Sequence, residues 1–134
     1  MLRFYRDLSY KGLILDYTME VLGILLGLLF GLITGWIPGL HTNTISAVTV
    51  TSLPLLSQHF SAVTIANFII SMSVSNSFIS VIPSVFLGAP NDATALGVLP
   101  GHRLLLEGRG MEAVRLNVQG SFIALILSSV LIIP

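Results

Sequence analysis

Two places in the sequence combine proline and glycine with hydroxyl and amide side chains. The first, residues 35–44, reads GWIPGLHTNT, and the second, residues 88–94, reads GAPNDAT. A helix broken in this way leaves backbone N–H groups free at the start of the next half-helix, and these groups attract anions. Carbonyl groups left free on the other side of the break can hold a cation. This pattern is typical of substrate and coupling-ion sites in secondary transporters.

We predict a substrate-binding site built from both breaks and from polar residues of the apolar segment between them. Asn76 either contacts the solute or forms a hydrogen bond between helices, worth about 1 kcal/mol. Asp92 either binds a coupling Na⁺ or H⁺ or caps the helix that follows Pro90. His41 either donates to the anion or is a packed or interfacial histidine. The predicted substrate-binding residues are Gly35, Pro38, Gly39, Thr42, Asn43, Ser75, Asn76, Ser77, Gly88, Pro90 and Asn91.

Enzyme chemistry and nucleic-acid binding find no support in the sequence. There is no cysteine, and His41, His59 and His102 lack metal-ligand spacing, so we predict no catalytic thiol, no metal site and no cofactor. No G-x-S-x-G, H-E-x-x-H or Walker A motif is present, and Ser73 and Ser75 have no nearby base. Six positive and six negative side chains balance to zero, which excludes a basic nucleic-acid footprint.

The composition is that of a membrane protein. Of the 134 residues, 54% are hydrophobic and only 9% are charged, against roughly 25% charged residues in an ordinary soluble domain. From Val21 to Asn91 the chain has no Asp, Glu, Lys or Arg. We therefore predict an all-α, multi-pass protein of the cell membrane, a helical bundle with broken or re-entrant half-helices. Serines alternate between Ser71 and Ser77 as in a strand, but a barrel would need this alternation in every segment, and residues 21–37 do not show it.

Charge and hydropathy together predict how the chain crosses the membrane. Residues 1–20 are expected to form a cytoplasmic or interfacial segment, and residues 21–134 a transmembrane region. The positive-inside rule places the flanks 1–20 and 102–115 both in the cytoplasm, which requires an even number of crossings between them. If residues 40–56 re-enter the membrane, the number of crossings between the flanks is even. If residues 40–56 span the membrane, the number is odd and one flank lies outside the cytoplasm. The predicted elements are helices over 21–37, 62–82 and 116–133, a re-entrant segment or half-helix over 40–56, and a Pro/Gly break over 83–101.

Glycines recur every fourth residue in the first apolar segment. This spacing places Gly23, Gly27, Gly31 and Gly35 on one stripe of a helix. In lipid, such a stripe lets a second helix approach closely, because helix association there depends on packing. The stripe thus predicts a helix interface and not a chemical site.

The motifs resemble those of the tripartite tricarboxylate transporter large permease subunit family, N-terminal portion, and the resemblance covers nearly the whole chain from Val21. The first match is the G-x-x-x-G-x-x-P-G-L pattern that ends at Leu40. The second is the serine-rich helix followed by a Pro/Gly break and a glycine-arginine-glycine turn, and its LPGHR form is similar to the archaeal branch. The matching residues are Gly31, Gly35, Pro38, Gly39 and Leu40, then Gly88, Pro90, Thr94, Gly108, Ala113, Gly120 and Ser121.

This resemblance implies a polytopic permease that moves carboxylates such as citrate and is driven by an ion gradient. It also implies a longer protein with further transmembrane segments, of which this chain is the first part. The sequence departs from the bacterial pattern because residues 74–77 read VSNS where the family has tyrosine-glycine-glycine-serine. The expected partners are the lipid bilayer, a small anionic solute, and further segments of the same permease or another subunit, with no nucleic acid.

The same residues also fit a second function. The chain could be a non-transporting assembly or anchor protein whose glycines and serines only pack helices. In that case mutating Gly27 disrupts association, and mutating the breaks has little effect.

Overall fold

The computed structural model describes residues 2–89 and 94–132, with side chains from Gly12 onward. These residues form helices joined by short turns, with no strand among them, which confirms the all-α prediction. Three stretches are long and apolar enough to cross a membrane: Gly12–Trp36, Ala62–Leu87 and Gly110–Ile132. The elements are α1 (Leu2–Trp36), α2 (Thr42–Thr51), α3 (Leu53–Leu56), α4 (Ala62–Ile79), α5 (Val81–Leu87), a 3-10 turn (Ala95–Gly97), α6 (Val98–Leu106) and α7 (Gly110–Ile132).

Several boundaries differ from those predicted. Helix α1 begins at Leu2 and runs through the segment 1–20, which had been expected to precede the first helix. The segment 40–56 consists of two short helices, α2 and α3, that meet at Ser52. The predicted break over 83–101 is helical at both ends, because α5 extends to Leu87 and α6 begins at Val98.

The glycine stripe of α1 packs directly on the backbone of α4. A Cβ atom added at Gly23 would lie 2.7 Å from the Thr64 carbonyl oxygen, and one added at Gly35 would lie 2.7 Å from Ile79 Cβ. Added Cβ atoms at Gly27 and Gly31 would overlap the backbone of α4 still more closely. Only glycine therefore permits this approach, as the spacing of the glycines predicts.

The order of these contacts shows that α1 and α4 run parallel. Gly23 lies beside Thr64 near the start of α4, and Gly35 lies beside Ile79 at its end. The segment 40–60 must consequently lead the chain back along most of the length of this pair. A re-entrant segment between two crossings would make α1 and α4 antiparallel, so the structure contradicts that version of the topology.

The charged segment 102–115 lies at the opposite end of the α1–α4 pair from residues 1–20. Helix α5 continues α4 past the end of α1, and its Phe86 packs against Gly110 at the start of α7. Val81, Val85 and Ala113 form the small core of this region. In the structure the two charged flanks therefore lie at opposite ends of the α1–α4 pair, and not at one end as expected. A spanning segment 40–56 was the alternative and was not preferred, because this apolar stretch is short for a membrane-spanning helix.

Candidate functional site

The first break forms a tight turn between α1 and α2. Gly39 has a φ of +87°, a conformation that residues with a side chain rarely adopt. The Leu40 N–H donates to the Ile37 carbonyl at 3.2 Å. His41 is the N-cap of α2, and its side chain makes no capping hydrogen bond. The first turn of α2, which contains Thr42 and Asn43, therefore has no side-chain cap from the residue that precedes it.

The second break begins where α5 ends. Gly88 has a φ of +63° and is the left-handed C-cap of α5, and the Ala89 N–H donates to the Pro83 carbonyl at 3.4 Å. The predicted site residues Pro90, Asn91 and Asp92 lie outside the described residues. On the far side of the break, Thr94 is buried, and the backbone resumes as a 3-10 turn before α6.

Residues of the first break and the start of the second break line one small cavity of about 20 Å³. Its walls include Gly35, Pro38, Gly39 and His41 from the first break, and Ala89, which follows Gly88 in the second. The remaining wall is the kink between α4 and α5, with Ser80 and Pro83. Two features more than forty residues apart in sequence thus share one location, as the hypothesis of a common site requires.

Two of the α4 residues that were predicted to bind substrate, Ser75 and Asn76, form hydrogen bonds to α1. Asn76 Nδ2 donates to Thr34 Oγ1 at 3.0 Å, and Ser75 Oγ donates to the Leu28 carbonyl at 3.1 Å. Both side chains are buried. Ser77 Oγ donates to the Ser73 carbonyl within α4 at 2.9 Å. Of the two interpretations of Asn76, the structure shows the hydrogen bond between helices, although its partner Thr34 lines the cavity.

Sequence reasoning missed Ser80. This residue is 6% exposed, and its Oγ is a buried polar atom with no hydrogen-bond partner. Buried polar groups are nearly always paired, so an exception calls for an explanation. A sequence signal did exist, because Ser80 lies three residues before Pro83, and a proline inside a helical segment causes a kink.

Each of the two prolines in the cavity wall removes a helical hydrogen bond. In a continuous helix, residue 38 would donate to the Thr34 carbonyl and residue 83 to the Ile79 carbonyl. Pro38 and Pro83 have no N–H, so neither carbonyl has its helical partner. The cavity wall therefore includes the unpaired hydroxyl of Ser80 and a residue, Thr34, whose carbonyl lacks its helical partner. Ile79, whose carbonyl also lacks its helical partner, directly precedes Ser80.

A larger cavity of about 270 Å³ lies at the other end of the α1–α4 pair. Its walls are almost wholly apolar and include Leu22, Leu56, Phe60 and Phe68. An anionic solute needs polar groups that orient it. This second cavity is accordingly no candidate for the anion site.

The arginines of segment 102–115 form a separate surface network. Arg109 Nη2 donates to Glu112 Oε1 at 2.7 Å, and Arg103 pairs with Glu107 at 3.6 Å. The hydrogen bond that Arg109 donates to Glu112, together with the charge of that carboxylate, raises the pKa of Arg109 above its ordinary value. Among the residues that the structure describes, no cluster of histidine and acidic side chains could hold a metal ion. The network lies apart from the cavity and is exposed.

Comparisons with known proteins agree with the resemblance seen in the motifs. Residues 21–134 match the family described as the tripartite tricarboxylate transporter TctA family. The uncharacterized protein MJ1079 of Methanocaldococcus jannaschii is 38% identical over 110 residues, which cover 82% of this chain and 27% of that protein. The chain thus spans about a quarter of the length of this relative. No solved structure matches the chain.

Proposed function

Because the chain belongs to the tripartite tricarboxylate transporter TctA family, we propose that it is part of a secondary-transporter permease of the cytoplasmic membrane. This multi-pass permease moves small carboxylate-type anions by coupling to an ion gradient, and it is not an enzyme. The observation that carries the proposal is the convergence of both Pro/Gly breaks at one cavity. In secondary transporters, interrupted helices supply the dipoles and free backbone groups that bind the solute and the ion.

The start of α2 is the part of this location that suits an anion. Its first N–H groups have no cap from the His41 side chain, and Asn43 in the first turn is exposed. The partial positive charge of a helix N-terminus attracts carboxylates. A cavity of about 20 Å³ is far too small for a tricarboxylate, so the solute binds outside it, over Gly39, His41 and Asn43.

Further transmembrane segments are required to enclose such a solute. Much of the surface of α7 is apolar and exposed, including Phe122, Ile126 and Val130. Lipid and other segments of the permease would cover this surface. The site built by this chain is one wall of the complete binding site, in keeping with the small share of the relative that it covers.

The second candidate function is a non-transporting assembly or anchor protein. The observation that favours it is the use of Ser75 and Asn76, together with the glycine stripe, in packing α4 on α1. It does not account for the uncapped start of α2 or for the meeting of the two breaks.

Uptake of radiolabelled citrate into proteoliposomes that contain the full-length protein separates these functions. A carrier takes up citrate when an ion gradient is imposed, and Pro38→Ala lowers uptake at least about tenfold, because the site loses its preorganised geometry. Pro54→Ala is the matched control, since Pro54 is exposed in α3 and is not part of the cavity wall. Equal uptake by the wild type and by Pro38→Ala, with both inserted in the membrane, would remove the first break from the proposed site.

A further inference from the structure

We propose that the small cavity between the two breaks binds a dehydrated Na⁺ through neutral oxygen atoms. The ligands are Ser80 Oγ and the main-chain carbonyls of Thr34 and Ile79. Na⁺ binding here is a property of these residues, and the role of Na⁺ as the coupling ion rests on the proposed transport function.

The Ser80 hydroxyl is the first evidence for an occupant. Its Oγ is buried and unpaired, and the residue lines the cavity. Burying a hydroxyl without a hydrogen-bond partner costs free energy, because the group loses its bonds to water. An alanine at this position would not have this cost. A bound cation would give the oxygen lone pairs of Ser80 the partner that they lack.

The two carbonyls are the second evidence, and they come from different elements. Pro38 deprives the Thr34 carbonyl of its helical donor, and Pro83 does the same to the Ile79 carbonyl. Both prolines line the cavity, as do Thr34 itself and Ser80, which shares a peptide bond with Ile79. Carbonyls at interrupted helix ends are the groups that hold Na⁺ in carriers with broken helices.

Contacts behind the cavity hold Thr34 in place. Thr34 Oγ1 donates to the Gly31 carbonyl at 3.2 Å and accepts from Asn76 Nδ2 at 3.0 Å. These bonds hold the Thr34 side chain, and the Thr34 carbonyl is the one that lost its helical donor at Pro38. Asn76 is in this view a positioning residue, which acts on the ion only through Thr34.

Size and charge favour Na⁺ over other occupants. A volume of about 20 Å³ admits a single water-sized particle. The described wall contains no carboxylate, which Ca²⁺ and Mg²⁺ sites normally include. Among the described residues that line the cavity, the one titratable side chain is His41, and it is exposed.

The test is Na⁺ binding by the full-length protein in detergent, measured as ²²Na⁺ retention at constant ionic strength with K⁺ as the replacement cation. The wild type should bind Na⁺, and Ser80→Ala should raise the apparent Kd by roughly tenfold or more, since a bond to a charged group is lost. Ser80→Ala removes no hydrogen bond of the folded protein, so it should fold normally. The matched control is Ser73→Ala, which removes a hydroxyl bonded to Ile69 within α4 and outside the cavity wall.

A second variant tests the backbone ligands. Pro83→Ala restores an N–H that can pair with the Ile79 carbonyl and should therefore weaken Na⁺ binding as well. Wild-type affinity in both Ser80→Ala and Pro83→Ala would overturn the proposal. An absence of Na⁺ binding by the wild type would also overturn it, because the cavity would then hold a water molecule.

The outcome for transport is separable from the outcome for binding. Citrate uptake that persists without Na⁺, in a protein that binds none, overturns the ion site and leaves the permease function standing. Na⁺ binding that depends on Ser80, in a protein that takes up no citrate, supports the ion site and removes the proposed substrate.

Discussion

Asn76 of α4 donates a buried hydrogen bond to Thr34 of α1, with 3.0 Å between Nδ2 and Oγ1. The bond joins the serine-rich helix to the last turn before the first break. Thr34 lines the cavity at which both breaks meet, whereas Asn76 lies behind it in the helix interface. A polar residue that sequence reasoning assigned to the solute is therefore a support of the site.

Asn76→Ala tests this supporting role. The change leaves Thr34 Oγ1 without its donor and should lower the free energy of unfolding by about 0.5–2 kcal/mol, the range of hydrogen bonds between membrane helices. Reversible unfolding in mixed detergent micelles measures the change. Asn43→Ala is the control. Because Asn43 is exposed, this variant should have the same free energy of unfolding as the wild type. Equal stability of all three proteins would show that the bond contributes nothing.

Gly31→Val tests the close approach of α1 to α4. An added side chain would overlap the backbone at Met72 and the Ser75 side chain, so we expect a loss of about 2 kcal/mol or more in stability. Gly120→Val in α7 is the matched control, because no atom lies within 4 Å of a Cβ added there. The same unfolding assay applies. A stable Gly31→Val protein would mean that the two helices can separate without cost.

Gly39 tests the backbone geometry of the first break. Its φ of +87° disfavours residues with a branched side chain by about 1–2 kcal/mol. Gly39→Val should therefore impair citrate uptake more than Gly39→Asn does, since asparagine tolerates positive φ better. Steric overlap would not cause the difference between the two variants, because a Cβ at position 39 meets no atom within 4 Å. Equal uptake by both variants would argue against a required positive φ.

The parallel packing of α1 and α4 predicts the sides of the membrane on which the charged flanks lie. The protein has no cysteine, so single cysteines can be labelled without background. Gly12→Cys and Leu106→Cys should react with a membrane-impermeant maleimide from opposite sides of sealed vesicles. Leu106 is 78% exposed, so reagent access is not limited by the fold. Labelling of both from the same side would contradict the parallel arrangement.

Sequence reasoning was most successful where the physics is local or depends on composition. The scarcity of charge predicts a membrane protein, because soluble proteins need a charged surface. The spacing of Gly23 to Gly35 predicts a helix interface, because residues four apart share a face. The breaks near Pro38 and Gly88 follow from the backbone limits of proline and glycine. Each of these inferences requires only neighbouring residues.

Inferences that depend on distant residues were less successful. The direction of α4 relative to α1 could not be read from charge, because α2 and α3 return the chain without a charged residue and without a recognisable spanning helix. Ser77 was among the predicted site residues and Ser80 was not, yet Ser77 bonds within its own helix and Ser80 has no partner. The difference arises from which neighbour each hydroxyl faces in three dimensions.

Amino-acid types and their spacing alone establish a helical membrane protein of this transporter family, with a glycine interface and two interrupted stretches. The folded arrangement alone decides that the first stretch and Ala89 of the second line one cavity, that Asn76 bonds to Thr34 of another helix, and that Ser80 is buried without a partner. The physical reason is that local backbone preferences act over a few residues, whereas hydrogen-bond pairing and burial depend on which distant segments pack together.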